Sequence, residues 1–392
     1  MLRTVLRISL RSVKSASLRQ HCIIDKRQNF IVISIFNGLS LIIMSEIETA
    51  IQQFGLPEIP ACKKYINDLF TPEILIITKC KDGHALNSSE KAVLKEAIEY
   101  YKSLFPILSK INLATIDLEQ AQILMKYLHH VFNILLIQQK DHQFNFLYRV
   151  TIVKDGDRKA GKIREPDKLT HPPLKIIQEK QLFNRCSTSN STLFYASFYK
   201  NVALMEMKPE KGKNIIISKW QNPFPEKKYV FFEIPNADVN NPTIIEAKES
   251  YKHHLEGKDP LYQELLNLTT AFIASEFTKE ISNENERNPN RLEYLFSAFV
   301  SDRLLKPPPQ NDEITPNDLI LYPSVAWKHK QENVAVNPNV HKLLKLVKTV
   351  EYEVIATSYD KNDLELKEMP ADLKEIRRSW GITDNDIIWN DD

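Results

Sequence analysis

Glycine is scarce in this chain: 8 of 392 residues, where average usage would give roughly 27. The glycines are Gly38, Gly55, Gly83, Gly156, Gly161, Gly212, Gly257 and Gly381, and no two stand close enough to form a G-x-G. The G-x-G-x-x-G fingerprint and the G-x-x-x-x-G-K-[ST] loop are therefore absent, and with them the usual glycine-rich phosphate cradles. Collagen-like and Gly/Ser-linker classes are excluded too. Cysteine is equally sparse. Cys22, Cys62, Cys80 and Cys186 form no C-x-x-C and no disulfide framework, which points to a reducing, cytoplasmic compartment. The ten histidines contain no H-E-x-x-H. His129-His130 and His253-His254 are adjacent, so each pair projects to different faces of a helix. No metal is expected. The apolar run Ile31–Ile43 is too short to span a bilayer as a helix, and no membrane association is expected.

Charge is unevenly distributed. Residues 1–43 carry Arg3, Arg7, Arg11, Lys14, Arg19, Lys26 and Arg27 against Asp25 alone, 7 − 1 = +6. The formal net charge of the chain is +2, so the remainder is 2 − 6 = −4. That mildly acidic body carries no electrostatic footprint for nucleic acid. The Arg- and Ser-rich, acid-poor opening resembles an organelle transit peptide. The sequence MSEIETAI from Met44 instead looks like a cytosolic N-terminus, which would make 1–43 a translated upstream segment outside the fold. The change of composition at Met44 favours the second reading. Hydrophobic residues make up 43% of the chain and charged residues 26%, enough apolar material for a sizeable core.

The pattern divides the chain into a leader 1–43, a helical region 44–140, a mixed region 141–359 and a polar tail 360–392. Asn87 with Glu90 is a capping box that opens a helix over Lys91–Leu104, limited by Pro106, and Asp117 with Gln120 opens another to about Leu136. From residue 144 the period changes. Strands are predicted at Phe144–Val153, Thr192–Ser197, Asn214–Ser218, Tyr229–Ile234, Leu319–Tyr322, Val334–Val336 and Thr349–Thr357. Helices are predicted at Tyr199–Met207, 243–256, 260–280, 291–305 and Pro338–Leu344, with a long loop over 154–181. Without a regular βαβ period the fold class is α+β. The tail 360–392 reads as peripheral, with Trp380 and Trp389 as docking residues.

Four pieces carry residues of chemical interest. They are Leu147-Tyr148-Arg149-Val150, Phe183-Asn184-Arg185-Cys186 followed by Leu193-Phe194-Tyr195-Ala196, Ala203-Leu204-Met205-Glu206-Met207, and Leu321-Tyr322-Pro323-Ser324 followed by Asn333-Val334-Ala335-Val336. Each alone has a structural reading: an edge arginine, half of an ion pair, a core tyrosine with its hydroxyl satisfied. In this order they resemble the RES-domain family, whose pattern runs from a YR strand through RFN and LY-A to A–E and YPS with N-A after it. The likeness covers about residues 144–340 and extends to the loop around His171-Pro-Pro173, as in longer bacterial members. Asn184 and Cys186 stand where the family usually has glycine and an aromatic or methionine.

The resemblance implies an ADP-ribosyltransferase-like mixed sheet core and NAD as substrate. It also implies a toxin-type activity that destroys NAD by hydrolysis or phosphorolysis, restrained by an antitoxin protein. It assigns Arg149, Tyr195 and Glu206 to catalysis, and Arg185, Ser324, Tyr148 and Asn333 to substrate binding. The residue types suit that chemistry. Arginine grips pyrophosphate oxygens, an aromatic face attracts the cationic nicotinamide ring, and a carboxylate stabilises an oxocarbenium-like ribose. Nicotinamide leaves as a neutral molecule, so one carboxylate suffices where ordinary glycosides need two. Ser324 orients by hydrogen bonding, since no G-x-S-x-G surrounds it. Two alternatives stand beside this one: ADP-ribosyl transfer to a protein, and a RES-like scaffold without activity whose helical region 44–140 is an interaction module.

Overall fold

The computed structural model describes residues 45–63, 71–132, 141–154, 162–234, 242–281, 289–305, 318–360, 365 and 368–391. The leader and its apolar run lie outside these residues. Among the described residues ten strands form: β1 (Asp141–His142), β2 (Phe146–Ile152), β3 (Phe194–Ala196), β4 (Asn214–Gln221), β5 (Tyr229–Glu233), β6 (Leu319–Pro323), β7 (Glu332–Val336), β8 (Lys345–Thr357), β9 (Ala371–Ile382) and β10 (Ile387–Trp389). They make two five-stranded sheets, ordered β1-β5-β6-β7-β3 and β10-β9-β8-β4-β2. Pairings are antiparallel except β5 with β6. With the helices on either side, the fold is α+β, as the sequence pattern predicts.

The sheets meet at one seam. Tyr148 of β2 donates its N–H to the Ser197 carbonyl at 2.7 Å, and Ser197 returns the bond at 2.9 Å. Alternation along the strands then sorts side chains into separate cores. Leu147 of β2, Ile216 and Trp220 of β4, Phe194 of β3, Leu319 and Leu321 of β6, and Val334 and Val336 of β7 share a core with Ile387 and Trp389 of β10. The opposite face of β6 and β7, with Ile320, Tyr322 and Ala335, packs against helices.

Those helices come from both halves of the chain. Ser88–Lys110, Leu118–Val131, Pro260–Thr278 and Leu295–Leu305 contribute to one buried cluster. Phe105 and Phe272 stack at 4.4 Å, and Arg303 donates to the Phe132 carbonyl at 3.0 Å. The N-terminal helices thus share a core with those that flank the first sheet. Both capping boxes form: the Asn87 side chain accepts from the Glu90 N–H at 2.9 Å, and the Asp117 side chain from the Gln120 N–H at 2.8 Å.

Three local expectations need correction. The helix opened by Asn87 does not stop before Pro106 but runs on to Lys110. Pro106 and Lys102 are exposed, so water can take the carbonyl that the missing N–H leaves free. The supposed loop 154–181 contains a 3-10 turn, Pro166–Leu169, and a helix, Leu174–Lys180. The supposed tail 360–392 supplies β9 and β10. Its polarity follows from β9 keeping Asp372, Lys374, Glu375 and Arg378 exposed. Its docking residue is Trp389, which is 1% exposed and donates Nε1–H to the Ile163 carbonyl at 2.9 Å. Trp380, at 86% exposure, docks on nothing among the described residues. Trp389→Ala is expected to cost about 3–5 kcal/mol of unfolding free energy in denaturant titration. A peripheral tail would lose no more than about 0.5 kcal/mol.

Candidate functional site

The site residues sit around the seam and along the ends of β6 and β7. Arg149 lies on β2 with its side chain on the inter-sheet face, the face of Leu147. Its Nη1 donates to the Tyr195 carbonyl at 2.8 Å, and the guanidinium lies 5.5 Å from the centre of the Phe194 ring. Nε has no hydrogen-bond partner among the described residues. Loss of hydration lowers its pKa to about 10, against the smaller opposing pull of Tyr195 and Tyr322. An arginine stays charged even so.

Tyr195 of β3 turns its ring to the other face of the sheet. Its hydroxyl accepts from the Cys186 N–H at 3.0 Å and donates to Ser187 Oγ at 3.1 Å. Burial raises its pKa, with Cys186 adding to the effect. The loop before it is tight: Asn184 and Ser187 exchange main-chain hydrogen bonds at 2.9 and 3.1 Å. Asn184 is not among the residues of positive φ, so the backbone does not require glycine there. Cys186 is 1% exposed, and burial pushes its thiol up to about 12. It is a packing residue in this structure.

Arg185 is committed elsewhere. It donates to the carbonyls of Phe277 at 2.6 Å and Lys279 at 3.1 Å, which close the helix Pro260–Thr278. Its head lies 5.1 Å from the Tyr294 ring centre. A cation at a helix C-terminus satisfies orphan carbonyls and meets the negative end of the dipole.

Glu206 and Ser324, far apart in sequence, are joined: the buried Ser324 hydroxyl donates to Glu206 Oε1. The serine is fixed from the other side, because its oxygen accepts from the Trp327 N–H at 3.1 Å. Glu206 is exposed near the end of the helix Lys200–Met207. That helix packs Ala203 and Leu204 against Val150 of β2. Tyr148 contributes chiefly the seam described above, with the Lys219 ammonium 5.9 Å from its ring centre. Asn333 lies across from Tyr322 in the β6–β7 ladder. It is 3% exposed, and its side-chain NH2 is without a partner among the described residues.

Tyr322 is the residue that links these parts. Burial raises its pKa well above the ordinary value, with contributions in the same direction from Cys186, Glu206 and Tyr195 and a smaller opposing one from Arg185. Arg149 also interacts with Tyr322, so this tyrosine is the common neighbour of Arg149 and Glu206. The YPS motif contains Tyr322, but its letters do not reveal that central place. Two further residues are not singled out for the site by the sequence, His171 in the loop that shares the likeness and His341 in the helix predicted at Pro338–Leu344. Their rings meet edge-on at 5.1 Å, and His341 stacks on Phe194 at 4.4 Å. Among the described residues, no group of His, Cys, Asp and Glu side chains is arranged to hold a metal, and no helix is long and apolar enough to cross a membrane.

His341 supplies a pH test. Burial first, then His171 and Arg149, lower its pKa from 6.5 to about 4. The folded state therefore holds this imidazole neutral, while the unfolded chain protonates it below 6.5. Its contribution is intact above that pH and declines as pH falls toward 4, at about 1.4 kcal/mol per pH unit. The expected loss is about 3 kcal/mol between those limits, and His341→Gln should flatten that part of a stability-against-pH curve measured by denaturant titration.

In comparisons with protein-family models, with curated proteins and with solved structures, nothing matches the chain.

Proposed function

We propose that the protein consumes NAD by breaking the bond between nicotinamide and ribose, with water or phosphate as the acceptor. An ADP-ribosyltransferase-like core is part of this reading. The observation that carries it is the pairing of Glu206 with Ser324 next to Tyr322, which also neighbours Tyr195 and Arg149. Residues from four separate chain segments converge there.

Each has a role that follows from its setting. Glu206 Oε1 is held by a serine that is itself fixed by a main-chain N–H. A carboxylate fixed in advance stabilises an oxocarbenium-like ribose without first reorganising. Arg149 presents an uncompensated guanidinium edge to an anionic portion of the dinucleotide. Tyr195 and Tyr322 supply aromatic surface for the cationic ring. Arg185, whose hydrogen bonds go to helix carbonyls, supports the site by anchoring the Asn184–Ser187 loop rather than by gripping phosphate. Restraint by an antitoxin protein belongs to the same proposal.

That commitment of Arg185 is also the observation that favours a second reading, a RES-like scaffold without activity. Purified protein separates the two. NAD turnover is expected, with Glu206→Ala lowering it by about a hundredfold or more and Ser324→Ala by about tenfold, the worth of one orienting hydrogen bond. Melting temperatures of the variants control for folding. Absence of NAD loss, or equal loss with Glu206→Ala, would overturn the catalytic reading. The scaffold reading expects no heat of NAD binding. Labelled NAD distinguishes acceptors, since label on a protein band would replace hydrolysis or phosphorolysis by ADP-ribosyl transfer.

A further inference from the structure

The inter-sheet space holds three unpartnered polar nitrogens, one on the Arg149 edge used above and two on histidines that the reaction above does not use. Arg149 Nε, His171 Nδ1 and His341 Nε2 are each buried and without a hydrogen-bond partner among the described residues. Their groups gather at the Phe194 ring, with His341 stacked on it at 4.4 Å, the Arg149 guanidinium 5.5 Å from its centre, and His171 edge-on to His341 at 5.1 Å. His341 is 7% exposed. Leaving such nitrogens unpaired costs about 1–3 kcal/mol each, and the three come from β2, from the loop after Leu169 and from the helix Pro338–His341.

We propose that Arg149, His171 and His341 form a cradle for one phosphate-like oxyanion, which binds with uptake of a proton by the histidine pair. Arginine supplies fixed charge and a planar edge, and each imidazole becomes a donor at both nitrogens when protonated. Without an anion, Arg149 opposes protonation of both rings. A bound oxyanion reverses that balance. The other charged groups that His171 feels are Asp167, which favours its protonation, and Lys342, which opposes it. His341 feels His171 and Arg149. The oxyanion is either part of a dinucleotide's pyrophosphate or free phosphate, so the cradle rests on the NAD reading through Arg149 and adds His171 and His341, which that reading does not use.

Sulfate is the probe, since its charge is constant across the titration range of histidine. Calorimetry on the full chain is expected to show at least about tenfold tighter sulfate binding near pH 6 than near pH 8. Heats measured in two buffers of different ionisation enthalpy should report net proton uptake by the wild-type protein. His171→Gln and His341→Gln should each reduce the pH dependence, and Glu206→Ala should leave it intact. Equal affinity at both pH values, or no proton uptake, overturns the cradle even where NAD turnover is normal. Conversely, sulfate binding with proton uptake in a protein that leaves NAD untouched keeps the cradle and removes the catalytic reading. Competition between sulfate and NAD identifies the pyrophosphate as occupant, whereas simultaneous binding identifies free phosphate.

Discussion

The arrangement depends on a guanidinium placed between two sheets. Arg149 shares the inter-sheet face with Leu147 and looks onto Phe194, where water is largely excluded. Removing a charge from water costs several kcal/mol unless other groups replace the hydration. The Tyr195 carbonyl does part of this. It is free to do so because β3 is an edge strand, hydrogen-bonded along one side to β7, with its main-chain link to β2 made just past its end at the Tyr148–Ser197 bridge. The short edge, the seam and the buried cation therefore form one unit. A longer β3 pairing fully with β2 would take the carbonyl and leave Arg149 with nothing.

The two arginines that resemble each other in the sequence have different duties. Arg149 keeps an unpaired edge, whereas Arg185 spends its donors on the carbonyls of Phe277 and Lys279. The helix it closes belongs to the core shared with the N-terminal helices. Arg185 thus ties the helical layer to the loop that carries Cys186 and Ser187, and through their bonds to the Tyr195 hydroxyl. Packing of the helices Ser88–Lys110 and Leu118–Val131 against Pro260–Thr278 and Leu295–Leu305 reaches the site along this route.

Much of the fold was legible because local rules govern it. Capping boxes at Asn87 and Asp117 and the β-branched run of β4 announce themselves within a few residues. The misses share a cause. Pro106 sits within a helix because its face is solvated, and β9 looks polar because one of its faces is exposed, facts that depend on the rest of the fold. At the site, the ordered motifs point to Glu206 and Ser324 separately, and the hydrogen bond between them emerges only when the end of the helix Lys200–Met207 is brought to the end of β6. His171 and His341 could not be paired from sequence. They stand far apart in sequence, and only the packing of Phe194 between β2 and the helix Pro338–His341 brings them together.

The placement of Ser324 shows how such a site keeps an exposed carboxylate in one orientation. A glutamate on a helix surface normally samples several rotamers, and fixing it costs about 1.5–2 kcal/mol of side-chain entropy. Ser324 is wholly buried, follows a strand whose five residues are all buried, and is pinned by main-chain bonds to Gln331 and His329 at 2.7 Å each. Its hydroxyl has little freedom to move. The entropy needed to aim Glu206 is thus met during folding, by the strand and the turn that follows it. This is the physical reason for a serine at the end of β6. A donor on a mobile loop would leave the orientation to be fixed at each encounter with a ligand.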